Sequence, residues 1–281
     1  MDRLLLCIAL GIMALTMVTP SFAFDHDPAL QRLCDRSGNV PESPCGLNPQ
    51  PDNAAFSGIT REYALALAPT LLAPAETMGI NGFQFDLQFS VTSINAAKDY
   101  WQLGIEDETP PDVFVVSRIG VRKGLPGSFE IGMSTSYLIE SELWMVGTML
   151  KWGLHEGMAS VPVDLAVRAT YSKMVGSPQL DISMVGMDVV LSKSFGVAGV
   201  VNISPYVAYS PVWSTAGSQV LDATPGAIDS PTGDFVFAEE TQLVNRFTVG
   251  SRFIMGLLNL TGEAAITPEQ QTYSANVGID F

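Results

Sequence analysis

From residue 80 to the last residue, the chain alternates apolar and polar side chains, one by one, in segments of ten to fourteen residues. The last segment is the clearest. Tyr273, Ala275, Val277, Ile279 and Phe281 fall on one parity, and Thr272, Ser274, Asn276, Gly278 and Asp280 on the other. A two-residue period makes a strand with one apolar and one polar face. Ten segments read this way: 80–92, 113–123, 128–138, 143–154, 162–172, 181–193, 200–213, 242–255, 257–266 and 272–281. Globular strands usually stop after about five or six residues, whereas about nine to eleven are needed to cross a bilayer as a tilted strand.

Composition narrows the choice. Hydrophobic residues make up 47% of the chain and charged residues only 15%; the mean hydropathy is +0.26. After Ala23 there is no run of eighteen apolar residues, so a spanning helix is not expected. Two solutions remain for such a chain: a barrel facing lipid, or a secreted β-sandwich facing its own core. Aromatic placement favours the barrel. Trp101, Tyr137, Trp144, Tyr171, Tyr209, Trp213 and Tyr273 gather at one end of the segments, and Phe83, Phe129, Trp152, Phe253 and Phe281 at the other. Two aromatic girdles around a Val, Leu and Ile band match the two interfaces of a membrane. Connections alternate too. One end has tight turns such as Lys123–Gly127 and Met255-Gly256, and the other has longer loops such as 93–112 and 214–241. The predicted fold is all-β: an antiparallel transmembrane up-and-down β-barrel of about ten strands (eight to twelve), preceded by an N-terminal non-barrel segment.

The closing segment resembles the last strand of bacterial outer-membrane β-barrel proteins. In that family a terminal aromatic residue and a second one eight positions earlier, here Phe281 and Tyr273, help the insertion machinery recognise its substrate. The resemblance implies residence in the outer membrane of a Gram-negative-type bacterium. It also implies membrane lipids and the outer-membrane assembly machinery as partners, with Tyr273 and Phe281 as the assembly signal.

The N-terminus reads as an export signal. Arg3 precedes the apolar run Leu4–Val18, and Ser21-Phe22-Ala23 supplies a small-x-small cleavage site, so Sec-type export with a mature chain from Phe24 is expected. The chain then divides into 1–23 as signal, 24–75 as leader or plug, and 76–281 as barrel. Cys34 and Cys45 form an even pair in an oxidising compartment, and a disulfide between them is expected. Two thiols with His26 as the one nearby imidazole do not make a zinc site, so no metal is expected. Residues 54–75 read two ways. Ala54–Tyr63 suits a short helix, whereas Tyr63, Leu65 and Leu67 alternate with Ala64, Ala66 and Ala68 as a strand would, and Pro69 and Pro74 break either. The segment is a plug, or one or two further strands.

The polar parity carries the chemistry. Six acids (Asp86, Glu130, Asp164, Asp188, Glu263, Asp280) face inward with six bases (Arg118, Arg122, Lys151, Arg168, Arg246, Arg252). A ten-stranded barrel is narrow enough for side chains to fill. The near balance suggests ion pairs that rigidify the lumen, ahead of a charged constriction that selects ions. A net charge of −15 argues against nucleic acid. No phosphate-binding glycine loop appears, so no cofactor is expected. A wall-mounted hydrolase needs a His at the outer face beside a carboxylate or Ser. His26 belongs to the leader and His155 to a predicted periplasmic turn, so enzymatic activity is not expected. The chain reads as a narrow pore or a structural and interaction barrel, its solute unspecified. The alternative is transport of a hydrophobic solute. An N-terminal plug followed by a barrel is similar in architecture to the FadL-like transporter family, without a shared motif. A secreted β-sandwich binding protein and an outer-membrane hydrolase are weaker alternatives.

Overall fold

The computed structural model describes residues 26–34, 50–105, 110–155, 163–197, 200–222 and 234–281. The export signal 1–23 and Cys45 lie outside the described residues. Ten long strands build the wall: β1 Phe83–Ser93, β2 Val113–Leu125, β3 Phe129–Leu138, β4 Trp144–Gly153, β5 Asp164–Val175, β6 Leu180–Ser192, β7 Val201–Ser218, β8 Glu240–Met255, β9 Leu258–Ile266 and β10 Gln271–Asp280. Each pairs antiparallel with its neighbour in sequence. β10 pairs with β1 from Asp280 opposite Gln84 to Thr272 opposite Thr92, which closes the sheet on itself. The last residue takes part: Phe83 N–H donates to Phe281 O, and Phe281 N–H donates to Phe83 O. A single closed sheet has no free edge, and the β-sandwich alternative does not describe it.

Strand parity sorts the faces. Along β1 the burial alternates without a break, with Phe85, Leu87, Phe89 and Val91 outside and Gln84, Asp86, Gln88, Ser90 and Thr92 inside. The exposed apolar side chains circle the barrel, among them Ile119, Met133, Leu150, Val185, Val207, Phe247 and Val277. Aromatic pairs flank this belt: Tyr137 with Trp144 (4.6 Å between centroids) at one end, and Phe129 with Trp152 (5.5 Å) at the other. Short turns and residue 281 share one end, and the longer connections 94–112, 139–143, 176–179, 219–239 and 267–270 share the opposite one. β7 and β8 are the longest strands, at 18 and 16 residues. A two-stranded piece, Leu221–Asp222 against Asp234–Phe235, sits in their connection.

The N-terminal segment is not wall. Helix α1, Asn53–Leu67, is capped by Asp52, whose carboxylate accepts from Ala55 N–H. The helix takes in the whole stretch that also reads as an alternating strand, because its apolar residues find partners on more than one side. Phe56, Ile59, Tyr63 and Leu67 are all buried. After Leu67 the chain runs without regular structure to residue 82, and the wall begins at Phe83, seven residues later than the 76 boundary read from the sequence. Trp101 differs from its expected place as well. It is fully buried on the short helix α2, Asp99–Gly104, and belongs to an interior cluster, not to the lipid girdle.

Candidate functional site: a lumen filled by the chain's own segment

The interior has two layers. At the long-loop end it is apolar. Phe114 and Val116 of β2, Leu138 of β3, Met145 of β4, Met174 of β5 and Ile182 and Met184 of β6 turn inward. They meet Leu30, Leu33, α1 and Trp101 in one buried cluster. Tyr63 stacks on Phe114 at 5.1 Å and tilts against Trp101 at 5.2 Å, and Phe56 stacks on Phe237 of the β7–β8 connection at 4.4 Å. Glu62 is a buried acid in this layer. It accepts from Trp101 Nε1–H (3.0 Å), from the Tyr100 hydroxyl and from Gln270 Nε2–H (3.3 Å), so its burial is compensated. Burial and the Glu62 hydrogen bond push the Tyr100 phenol well above its ordinary pKa, and burial beside Asp27 does the same for Tyr63.

Below this layer the lumen is charged, and residues 67–76 pass through it in steps. Arg118 donates to Leu67 O (3.3 Å), Ala68 O (3.1 Å) and Thr70 Oγ1 (2.7 Å). Arg246 donates to Pro69 O (2.9 Å), and Arg168 to Thr70 O (2.9 Å). Glu263 accepts from Leu71 N–H (3.1 Å), Leu72 N–H (2.7 Å) and the Tyr206 hydroxyl (2.8 Å). Ser192 Oγ accepts from Ala75 N–H (3.0 Å). Lys151 Nζ donates to Pro74 O (3.1 Å) and Glu76 O (2.6 Å), and Arg252 meets the Glu76 carboxylate at 3.2 Å. The wall side chains therefore recognise a main chain, whose carbonyl and amide groups take the place of water.

Ion pairs fill in around this ladder. Arg168 and Asp188 pair at 2.6 Å, with Arg246 at 3.8 Å from the same carboxylate. Arg122 lies 3.5 Å from Asp86 and 3.7 Å from Glu130, and Lys151 lies 3.5 Å from Glu130. Ten of the twelve inward charges are buried. Asp164 and Asp280 share the inward parity but sit half-buried at the short-turn rim, where Asp280 accepts from Asn259 Nδ2–H at 3.2 Å. The remaining space beside the segment is a chamber of about 50 Å³, bounded by Thr70, Leu71, Asp86, Arg118, Arg122, Arg168 and the side-chain-free stretch at Gly120, Gly132 and Gly147. That volume holds only one or two waters.

Cys34 is buried and disulfide-bonded. His26 is placed differently from its sequence reading: it lies at the long-loop end, with Nδ1 donating to Ile139 O (3.0 Å) and Nε2 3.5 Å from the Glu140 carboxylate. The His–carboxylate juxtaposition not expected of the leader is present. The nearby Ser141 hydroxyl is buried and donates to Leu138 O, so it is not directed at the imidazole. His155 follows β4 at the short-turn end, its N–H donating to Leu165 O. Among the described residues, no cluster of His, Cys, Asp and Glu has the arrangement of a metal site. The sequence reading left the helix as one of two alternatives for residues 54–75 and missed the apolar layer. The signal for the layer was available: in the outer halves of β2, β4, β5 and β6, the lumen-parity positions change from charged or small to Phe114, Val116, Met145, Met174, Ile182 and Met184.

No protein-family model matches the chain, and no curated protein matches it. Among solved structures, the chain is similar to Ail, the attachment invasion locus protein of Yersinia pestis, at 8% identity and a TM-score of 0.30, over 72% of this chain and 99% of that one. It is similar to the KdgM porin in complex with disordered oligogalacturonate at 7% identity and a TM-score of 0.35, over 70% and 99%. It is similar to the N-terminal β-barrel domain of Pseudomonas aeruginosa OprF at 10% identity and a TM-score of 0.30, over 72% and 99%.

Proposed function

We propose that the chain is an outer-membrane β-barrel closed by its own N-terminal segment, with a structural or interaction role and no open pore. The observation that carries this reading is the ladder from Leu67 to Glu76. Arg118, Lys151, Arg168, Arg246 and Arg252 are all engaged with that segment. Residence in the membrane is supported by the closed sheet, the exposed apolar belt and the paired aromatics at its two ends. The long-loop end then faces the exterior and the short-turn end the periplasm. Assembly machinery as a partner is supported by Phe281, which joins the first strand to the last.

Planar-bilayer recording of the purified protein tests the closed lumen. The expected result is no large steady conductance; a large, steady current overturns it. A second reading, transport of a hydrophobic solute as in the FadL-like family, is favoured by one observation, the N-terminal segment inside the barrel. Its mark is a lipid or fatty acid that copurifies with the folded protein and is lost when residues of the apolar layer are made polar.

A further inference from the structure

We propose that the chain is threaded through its own barrel, so that residues 26–34 and 50–67 sit at its exterior mouth, with Gln50 and the first turn of α1 exposed there, and the barrel is their transmembrane holder. This rests on the outer-membrane reading above, which fixes which mouth faces out. The threading itself rests on three stations met in chain order. Before the lumen, the partners of the segment lie in the long-loop connections or on the strand ends beside them, such as Glu240 of β8, which accepts from the Ser57 hydroxyl. Ala29 N–H donates to Gly104 O, His26 N–H to Glu140 O, and Arg61 pairs with Glu269 at 2.8 Å. Within the lumen, the contacts descend from Arg118 to Arg252 as described. After it, Lys123, near the short-turn end of β2, donates to Ile80 O (3.2 Å) and Gly82 O (3.3 Å), where β1 starts.

A plug that entered and left by one mouth would put both of its ends beside the same set of connections. Here the two ends lie at opposite mouths. Ten extended residues reach at most about 35 Å, enough for a hydrocarbon layer of about 30 Å. The arrangement is also a tie. Toward the exterior, the segment is joined to the wall at Phe83. Toward the periplasm, α1 is a cylinder about 10–12 Å across with its side chains, and it is bound to the apolar layer through Tyr63 and Phe56. The segment cannot slide out either way without unfolding, and β10 must close on β1 with the segment already in place.

The test uses single cysteines and a membrane-impermeant maleimide on whole cells, with the wild-type chain as the blank. Ala54→Cys marks the exposed first turn of α1, Lys98→Cys an exposed site on the β1–β2 connection, and Leu257→Cys the exposed short turn between β8 and β9. Gln50→Cys, also exposed, stands in if the α1 variant fails to give the heat-dependent gel shift of a folded barrel. Threading predicts that Ala54→Cys and Lys98→Cys label equally before and after the outer membrane is permeabilised, and that Leu257→Cys labels only afterwards. If Lys98→Cys labels on intact cells while Ala54→Cys and Gln50→Cys wait for permeabilisation, the threading is overturned and the membrane reading stands. If Lys98→Cys also waits, the assignment of the exterior face falls, and the proposal falls with it.

Discussion

Glu263 shows what one inward charge does in this wall. Its carboxylate holds the amides of Leu71 and Leu72 and the hydroxyl of Tyr206. Leu72 has a φ of 41°, a conformation that non-glycine residues adopt only when their surroundings impose it. Tyr206 reaches Glu263 across Gly250, where an added Cβ would collide with its ring. Glu263→Ala leaves two amides and a hydroxyl buried without partners, at about 1–3 kcal/mol each. The expected outcome is a barrel that still inserts but unfolds at a lower temperature in the gel-shift assay, with more conductance than the wild type. Glu263→Gln keeps an acceptor and should fall between the two. If Glu263→Ala matches the wild type in both measurements, the carboxylate is not what holds the segment. Phe281 is a second test at this scale. Its backbone pairs with Phe83 and its ring is exposed at the lipid-facing rim. Phe281→Ser should keep the backbone pair but lower the yield of folded barrel if the ring is read during assembly, as quantitative blotting of membrane and periplasmic fractions would reveal. Unchanged yield would reduce the residue to a strand end.

Among the elements, the strands were legible, whereas residues 24–75 read only as a leader or plug, with no sign of the course the segment takes inside the barrel, and the physical reasons differ. A wall strand carries its environment in its own side chains, so β1 through β10 can be read from parity to within a few residues, apart from the extra length of β7. The segment 67–76 is recognised through carbonyl and amide groups, which every residue has, so no side-chain pattern announces it. Helix α1 was ambiguous because Tyr63 to Ala68 satisfies both periods, and only the partners around it decide. Trp101 was read as a girdle residue because loop aromatics near a strand end look alike until the loop folds inward. The cap these elements form should respond to alkaline pH. Tyr63 and Tyr100 are both held above the ordinary phenol value of about 10, first by burial and then by Asp27 and Glu62 respectively. Raised folded pKa values mean their contribution is complete below pH of about 10 and is lost as pH rises through the folded values. Phenolate absorbance should therefore appear late and cooperatively in the folded protein, together with loss of near-UV circular dichroism. Independent titration near the unperturbed value, with no loss of signal, would mean the cap is open in solution. Cys34 adds a second element-scale expectation. If it pairs with Cys45, the double Ser variant should lose leader order while the barrel still inserts.

For the whole molecule, the charge of the lumen depends on the segment inside it. The buried wall contributes six cations, Arg118, Arg122, Lys151, Arg168, Arg246 and Arg252, against four carboxylates, Asp86, Glu130, Asp188 and Glu263. Asp164 and Asp280 stand at the rim, where water screens them. The surplus cations are matched in the intact protein by Glu76 and by a row of main-chain carbonyls. Removing residues 24–76 takes those partners away and leaves a positively lined constriction, which favours anions. Such a variant also exposes the apolar layer, so its folded state has to be established first by the heat-dependent gel shift. Given a folded barrel, bilayer recordings across a potassium chloride gradient should show steady conductance with a reversal potential displaced toward that of chloride. Arg246→Ala and Arg252→Ala in the same background should reduce the displacement. A shortened barrel that folds yet stays silent would mean the wall side chains collapse across the lumen by themselves, and the segment would then be a passenger in a barrel already closed. Cation selectivity would mean the rim carboxylates, not the buried arginines, set the field.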